Sequence, residues 1–155
     1  MKQLLRFAAQ FGAQITLNPD SVVERSNRYY LLDASLRKFA TGQFFYAGLY
    51  LGKIKKGVFF PSFNFLNLLM TTAKNKVVLN QSSGWLFICG RDVFQKGVLK
   101  VWGAKRKGDA VLVINEFGEC LGFGRLTRSL SEVEEGILVR NVLDLGDFLR
   151  REGRF

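Results

Sequence analysis

Lys100–Arg128 reads KVWGAKRKGDAVLVINEFGECLGFGRLTR. A cation run, Lys105–Arg106–Lys107, is closed by Gly108-Asp109, and an apolar strand, Ala110–Ile114, follows. A polar turn at Glu116–Glu119 leads into a glycine-spaced strand, Cys120–Leu126, that carries Arg125 and is followed by Arg128. Short β-rich runs bounded by turn residues continue on both sides, at Val77–Leu79, Val98–Trp102 and Ile137–Val142. A short helix around Ser82–Ile88 interrupts them, and Asp144–Arg151 reads as a closing helix. Five short strands punctuated by glycines predict a small β-barrel.

Upstream the pattern differs. Leu4, Leu5, Phe7, Ala8 and Phe11 recur at helical spacing, so residues 2–11 predict an amphipathic helix stopped by Gly12, in place of a signal peptide. Ile15–Leu17 is a strand candidate, and Val22–Val23 with Tyr29–Leu32 flank a Ser26-Asn27 hairpin turn. Asp33 is placed to cap a helix, ASLRKFA, with Leu36, Phe39 and Ala40 on one face. Phe44–Ile54 is aromatic and β-rich, and Lys55-Lys56-Gly57 turns it into Val58–Phe60. Ser62 then caps FNFLNLLMTTAK, a helix with an apolar stripe of core type. The expected fold is therefore α+β: an N-terminal α/β domain with an antiparallel sheet, residues 1–75, packed against a C-terminal small barrel, residues 76–155.

The totals narrow the function. Of 155 residues 48% are hydrophobic, 15 of them Phe, so apolar surface suffices for a core. No apolar run approaches the roughly 18–20 residues of a membrane helix. Cys89 and Cys120 lie without metal-ligand spacing and read as a reduced, cytosolic pair. There is no histidine, which removes the commonest general base and metal ligand. Glu132, Glu134 and Glu135 suit a solvated loop, and Asp144 and Asp147 suit a helix N-terminus. No catalytic site, metal site or cofactor is expected, and the chain is not read as an enzyme. Net charge is +10, and residues 34–91 hold eight cations and no carboxylate. A field of that sign attracts polyanions, or serves only solubility.

The second half resembles the PUA domain in Lys107-Gly108-Asp109 opening VLVIN, the acidic-glycine turn, LGFGRL and the late GILVRNVLDLGDFL. With NRYYLLDASLRKFA, GLYLGKIKKGVFF and FICGRDVFQKGV, nearly the whole chain resembles the Nip-seven family of large-subunit ribosome-biogenesis proteins. A shorter first half than in eukaryotic members and the tail FLRREGRF make it similar to archaeal-type members. The resemblance implies a pre-PUA domain joined to a PUA domain, binding of pre-rRNA, and partnership with the exosome or pre-ribosomal proteins. It also implies a cytoplasmic protein (nucleolar in a eukaryote) with neither membrane nor small-molecule partner. Through DLGDFLRR it carries RNA contact onto Arg150 and Arg151, and by extension onto Arg154.

The other RNA-binding candidates come from the residues themselves. Lys105, Arg106 and Lys107 splay from a hairpin to grip successive phosphates, or form a soluble turn. Arg125 and Arg128 fall in and just after the strand of Gly122 and Gly124, glycines that admit an RNA backbone, permit the bend of a tight barrel, or do both. Lys74 and Lys76 extend the track across the domain junction, together with Lys53, Lys55 and Lys56. Phe59, Phe60, Tyr46 and Tyr50 are candidates to stack on unpaired bases, against the need of most Phe for the core. Removing the charge of Arg150 and Arg151 is expected to weaken RNA binding with little change in melting temperature. The alternatives are a protein-interaction adaptor built on the Phe-rich first half, an accessory subunit of an RNA-modifying enzyme, and a DNA binder.

Overall fold

The computed structural model describes residues 1–39, 48–131 and 135–152. Helix α1 (Lys2–Ala9) buries Leu4, Phe7 and Ala8 and runs through a turn to buried Phe11 and to Gly12, whose φ is +63°. Strands β1 (Val22–Arg25) and β2 (Arg28–Leu31) form a hairpin. Its turn residues Ser26 and Asn27 both have positive φ, the geometry that matches strand twist. Strands β3 (Leu49–Lys55) and β4 (Val58–Pro61) turn at Lys56-Gly57 in the same way, completing an antiparallel sheet in the order β1-β2-β3-β4. Helix α2 (Phe63–Met70) starts where the Ser62 hydroxyl accepts from the Phe65 amide at 3.1 Å, and it buries Phe65, Leu66 and Leu69.

The second sheet is mixed and curled. It contains β5 (Lys76–Leu79), β6 (Val93–Phe94), β7 (Val98–Trp102), β8 (Ala110–Ile114), β9 (Cys120–Leu126) and β10 (Ile137–Asp144), in the order β6-β10-β9-β8-β5-β7. All pairs are antiparallel except β5 with β8. Helix α3 (Gln81–Ile88), capped by Asn80, covers part of it, and α4 (Leu145–Glu152) closes the chain. The α+β class, the antiparallel first sheet and the barrel-like second one agree with the sequence expectation.

A shared core joins the two sheets. Phe123 of β9 lies edge-on to Phe7 at 5.5 Å and to Phe11 at 5.6 Å, while Phe7 also meets Phe59 of β4 at 5.4 Å. Asn75 ties the backbones together. Its side-chain amide donates to the carbonyls of Gln10 and Ala110, and its backbone carbonyl accepts from the Leu112 amide. A second cluster, including Val77, Phe87, Val111 and Leu138, fills the space between the second sheet and α3.

Three local expectations change. Ile15–Leu17 is not a strand; Ile15 and Leu17 pack against the core from an irregular segment. ASLRKF forms a 3-10 turn, Ala34–Phe39, instead of an α-helix. Asp33 accepts both the amide and the hydroxyl of Ser35, which tightens the turn, and Leu36 and Phe39 face solvent. Ala40, Phe44 and Tyr46 lie outside the described residues. The two-residue β6, which borders β10, has no counterpart in the sequence reading because so short a strand leaves no periodicity to detect.

Candidate nucleic-acid interface

Register brings the cations together. Arg125 of β9 and Arg140 of β10 are direct cross-strand partners, and Arg125 is also level with Ala110 at the start of β8. Gly108, just before that strand, accepts from Arg125 Nη1 at 3.0 Å, which fixes the guanidinium beside the Lys107 turn. Lys107, Arg125, Arg140 and Thr127 line a shallow depression of about 360 Å³, and among the described residues no carboxylate lines it. Like charges placed opposite one another across a ladder destabilise it, so the arrangement favours an anion between them. Arg28 and Lys53 make a second such pair beside Tyr30 and Tyr50, around a smaller hollow of about 170 Å³.

Arg125 also reaches the other half of the protein. Its Nη2 donates to Gln10 Oε1 at 2.7 Å. On that side opens a larger cleft, about 450 Å³, between α1 and β4 on one wall and β9 and β10 on the other. Gln3 and Arg6 of α1 and Gln10 at its C-terminal cap, spaced i, i+3 and i+7, supply its polar rim. Arg125 is thus shared by two adjoining depressions, and no acidic side chain among the described residues lines either.

The Lys105–Lys107 turn is built by Asp109. Its Oδ2 accepts from the backbone amides of Arg106 and Lys105, each at 2.9 Å. These bonds, with a smaller attraction to the Arg106 charge, hold the Asp109 carboxyl below its ordinary value of 3.8. The carboxylate therefore serves the backbone, and Lys105, Arg106 and Lys107 remain exposed. A depressed folded-state pKa adds stability that is complete above the unfolded pKa and is lost as pH falls through the folded one. Asp109→Ala should accordingly lower the melting temperature at pH 7, and the gap from wild type should shrink below about pH 4. A gap constant from pH 7 to pH 3 in thermal scans would show that the carboxylate is not what organises the turn.

The remaining candidates scatter. Arg128 is only 7% exposed and donates to Gln95 Oε1 at 2.8 Å, so it sits within the wall of the sheet and lines neither depression. Lys76 is half-buried and donates through Nζ to the Met70 carbonyl at 2.7 Å, while Lys74 is exposed against Gly12; neither lines the basic depressions. Arg150 lies beside α3, where it pairs with buried Asp144 at 3.2 Å and donates to the Ile88 carbonyl. Its removal withdraws a donor from a buried carboxylate, so the expectation of an unchanged melting temperature does not hold for it. Arg151 belongs to α4 by its backbone, with its side chain outside the described atoms, and Arg154 lies outside the described residues. Gly122 and Gly124 face protein: a Cβ on either would meet carbonyl oxygens of β10, so these glycines serve strand closeness instead of RNA approach. Sequence reading missed Arg6 and Arg140. The signal for Arg6 was the polar stripe of α1; that for Arg140 requires the β9–β10 register.

Among the described residues no cluster of His, Cys, Asp or Glu could hold a metal ion, and no helix is long and apolar enough to cross a membrane. Both cysteines are free thiols, and burial pushes the Cys120 thiol up to about 11.

The model of the UPF0113 PUA domain family matches residues 75–153, just over half of the chain. The chain belongs to this family. A UPF0113 protein of Archaeoglobus fulgidus is 31% identical over 111 residues, covering 69% of this chain and 63% of that protein. The match thus spans less than two thirds of that relative's length. Among solved structures, a conserved PUA domain protein from Thermoplasma acidophilum covers 97% of this UPF0113 chain and 92% of its own, with TM-score 0.66 and 21% identity. A hypothetical protein of Pyrococcus horikoshii covers 97% and 95%, with TM-score 0.61 and 19% identity. A PUA domain from Aeropyrum pernix covers 60% and 55%, with TM-score 0.52 and 24% identity. These likenesses establish the fold, across both sheets for the first two.

Proposed function

We propose that this UPF0113 protein is a non-catalytic RNA-binding protein that assists rRNA processing and large-subunit assembly. The observation that carries RNA binding is the depression in which Arg125 and Arg140 are cross-strand partners beside Lys107. A phosphodiester backbone is the ligand that relieves three converging cations at once and needs no further chemistry from the protein. Single-stranded or loop RNA suits the site, since side chains cannot enter the deep, narrow major groove of an A-form helix. The placement in ribosome biogenesis, in the cytoplasm and with the exosome or pre-ribosomal proteins as partners, rests on the resemblance to the Nip-seven family.

Among the described residues, four cations border the two depressions: Lys107, Arg125, Arg140 and Arg6. With about −0.7 per phosphate contact, log affinity for a single-stranded oligonucleotide should fall with log salt at a slope near −3. Lys107→Ala with Arg140→Ala should flatten that slope by about 1.4 and weaken binding of all sequences alike. A slope unchanged by the double variant, measured by fluorescence anisotropy between about 50 and 200 mM salt, would move the site elsewhere on the protein. Crosslinking in cells followed by sequencing of the attached RNA tests the ribosomal placement, with enrichment of pre-rRNA as the expected result.

A specific observation also favours an adaptor role alongside RNA binding. Of the first-half phenylalanines, Phe7, Phe11, Phe59 and Phe65 are buried, whereas Phe39 and Phe60 are exposed. In the second half, exposed Trp85 and Leu86 of α3 lie beside exposed Phe94 of the adjoining β6. Trp85→Ala should leave RNA affinity unchanged and reduce only those pull-down partners that survive RNase treatment.

A further inference from the structure

We propose that the cleft between α1–β4 and β9–β10 receives one unstacked base of the bound RNA, so that the protein grips backbone on the second sheet and a base between its two halves. The inference rests on the RNA reading above and deepens it. The cleft is amphipathic. Its floor includes Phe7, Phe59 and Phe123, its mouth has Val58 and the 42%-exposed Phe60, and its rim carries Gln3, Gln10, Arg6 and Arg125. A nucleobase presents the complementary surfaces: an apolar face for Phe60, an edge of donors and acceptors for the glutamine amides, and an attached phosphate for the arginines. Its volume of about 450 Å³ falls in the range of sites that enclose small ligands.

Continuity decides the occupant. Arg125 lines both the cleft and the basic depression, and is anchored at both ends, to Gly108 on one side and Gln10 on the other. A chain whose phosphates lie against Lys107 and Arg140 therefore arrives at the cleft mouth without leaving cationic surface. An acidic peptide would share the cations, but its backbone is uncharged, whereas a nucleic acid carries a phosphate beside every base and so sets anion and π face at adjoining positions of one repeat.

The test compares two probes on the full chain, a single-stranded oligouridine and the same oligomer with its central bases replaced by abasic sites. The wild type should bind the base-bearing probe about tenfold more tightly, the factor that roughly 1.4 kcal/mol of base–aromatic stacking gives. Phe60→Ala should erase that preference while leaving the abasic affinity and the salt slope unchanged. Gln3→Ala, which leaves the aromatic wall intact, should reduce the preference without abolishing it. Equal binding of the two probes by the wild type, with a salt slope near −3, would overturn the base site and leave the backbone site standing. Absence of binding to either probe would overturn both readings. Displacement of the RNA by an aromatic acidic peptide, dependent on Phe60 and without any preference for bases, would assign the cleft to a protein and overturn the proposal.

Discussion

Phe123→Ala should lower the free energy of unfolding by about 3–5 kcal/mol, a large share of the stability of a protein this size. The ring is only 6% exposed and is the point at which the second sheet meets α1, edge-on to both Phe7 and Phe11. Phe7 passes the contact on to Phe59, and Phe59 to Phe65 at 5.6 Å, so the aromatic chain runs from β9 through α1 to β4 and α2. Truncation removes the transfer energy of a benzyl group and leaves a cavity that strands on one side and a helix on the other are poorly able to fill. Phe117→Ala provides the control, because that ring, 85% exposed at the β8–β9 turn, should change stability by less than about 0.5 kcal/mol. Urea unfolding of both variants measures the difference. A loss under about 1 kcal/mol at Phe123 would show that α1 is not held against the sheet by this ring, and the cleft between them would lose its fixed walls.

The parts of this architecture legible in the sequence are those fixed by neighbours in the chain. Ser26-Asn27 and Lys56-Gly57 announce hairpins because their turn geometry is local, and Ser62 announces α2 because its hydroxyl acts three residues on. The apolar run of β8 and the glycines of β9 are likewise read directly. What escaped depends on register or competition. The parallel pairing of β5 with β8 follows from where the chain returns after α3 and β7, which no local pattern encodes. ASLRKF has helical spacing, yet Asp33 binds Ser35 and the apolar pair Leu36 and Phe39 finds no core to face. The interface shows the same division. Lys107 and Arg125 were legible as cations in and beside strands. Counting charge along the chain pointed to residues 34–91, whereas the groove takes Arg6 from α1, Lys107 from a turn, Arg125 from β9 and Arg140 from β10. Arg128, one turn of chain beyond β9, is drawn inward to Gln95, and sequence offers no sign of that.

Gly122→Ala should be nearly as damaging as the loss of Phe123, for a reason opposite in kind. Gly122 has φ +145°, a conformation that side chains rarely adopt, and a Cβ there would lie 2.0 Å from the Leu143 carbonyl oxygen and 2.9 Å from Asp144 Cα. Neither is the end of a flexible side chain, so β10 itself must move. Backbone strain and overpacking of about 1–3 kcal/mol each give an expected loss of about 3–5 kcal/mol. The displacement would reach beyond the ladder, because Leu143 lines the cleft between α1–β4 and β9–β10, and Asp144 Oδ1 accepts from the Asp147 amide at 2.7 Å in the first turn of α4. Gly118→Ala isolates the conformational part. Its φ is +82° and nothing lies within 4 Å of the added methyl, so it should cost only about 1–2 kcal/mol. Thermal unfolding of the two variants, with RNA affinity measured on whichever remains folded, separates the two roles open to a glycine in this strand. If RNA backbone approached the sheet at Gly122, alanine would reduce affinity and spare stability. Contact with the Leu143 carbonyl requires the reverse: a melting temperature well below that of Gly118→Ala, and weaker RNA binding only in proportion to the fraction unfolded.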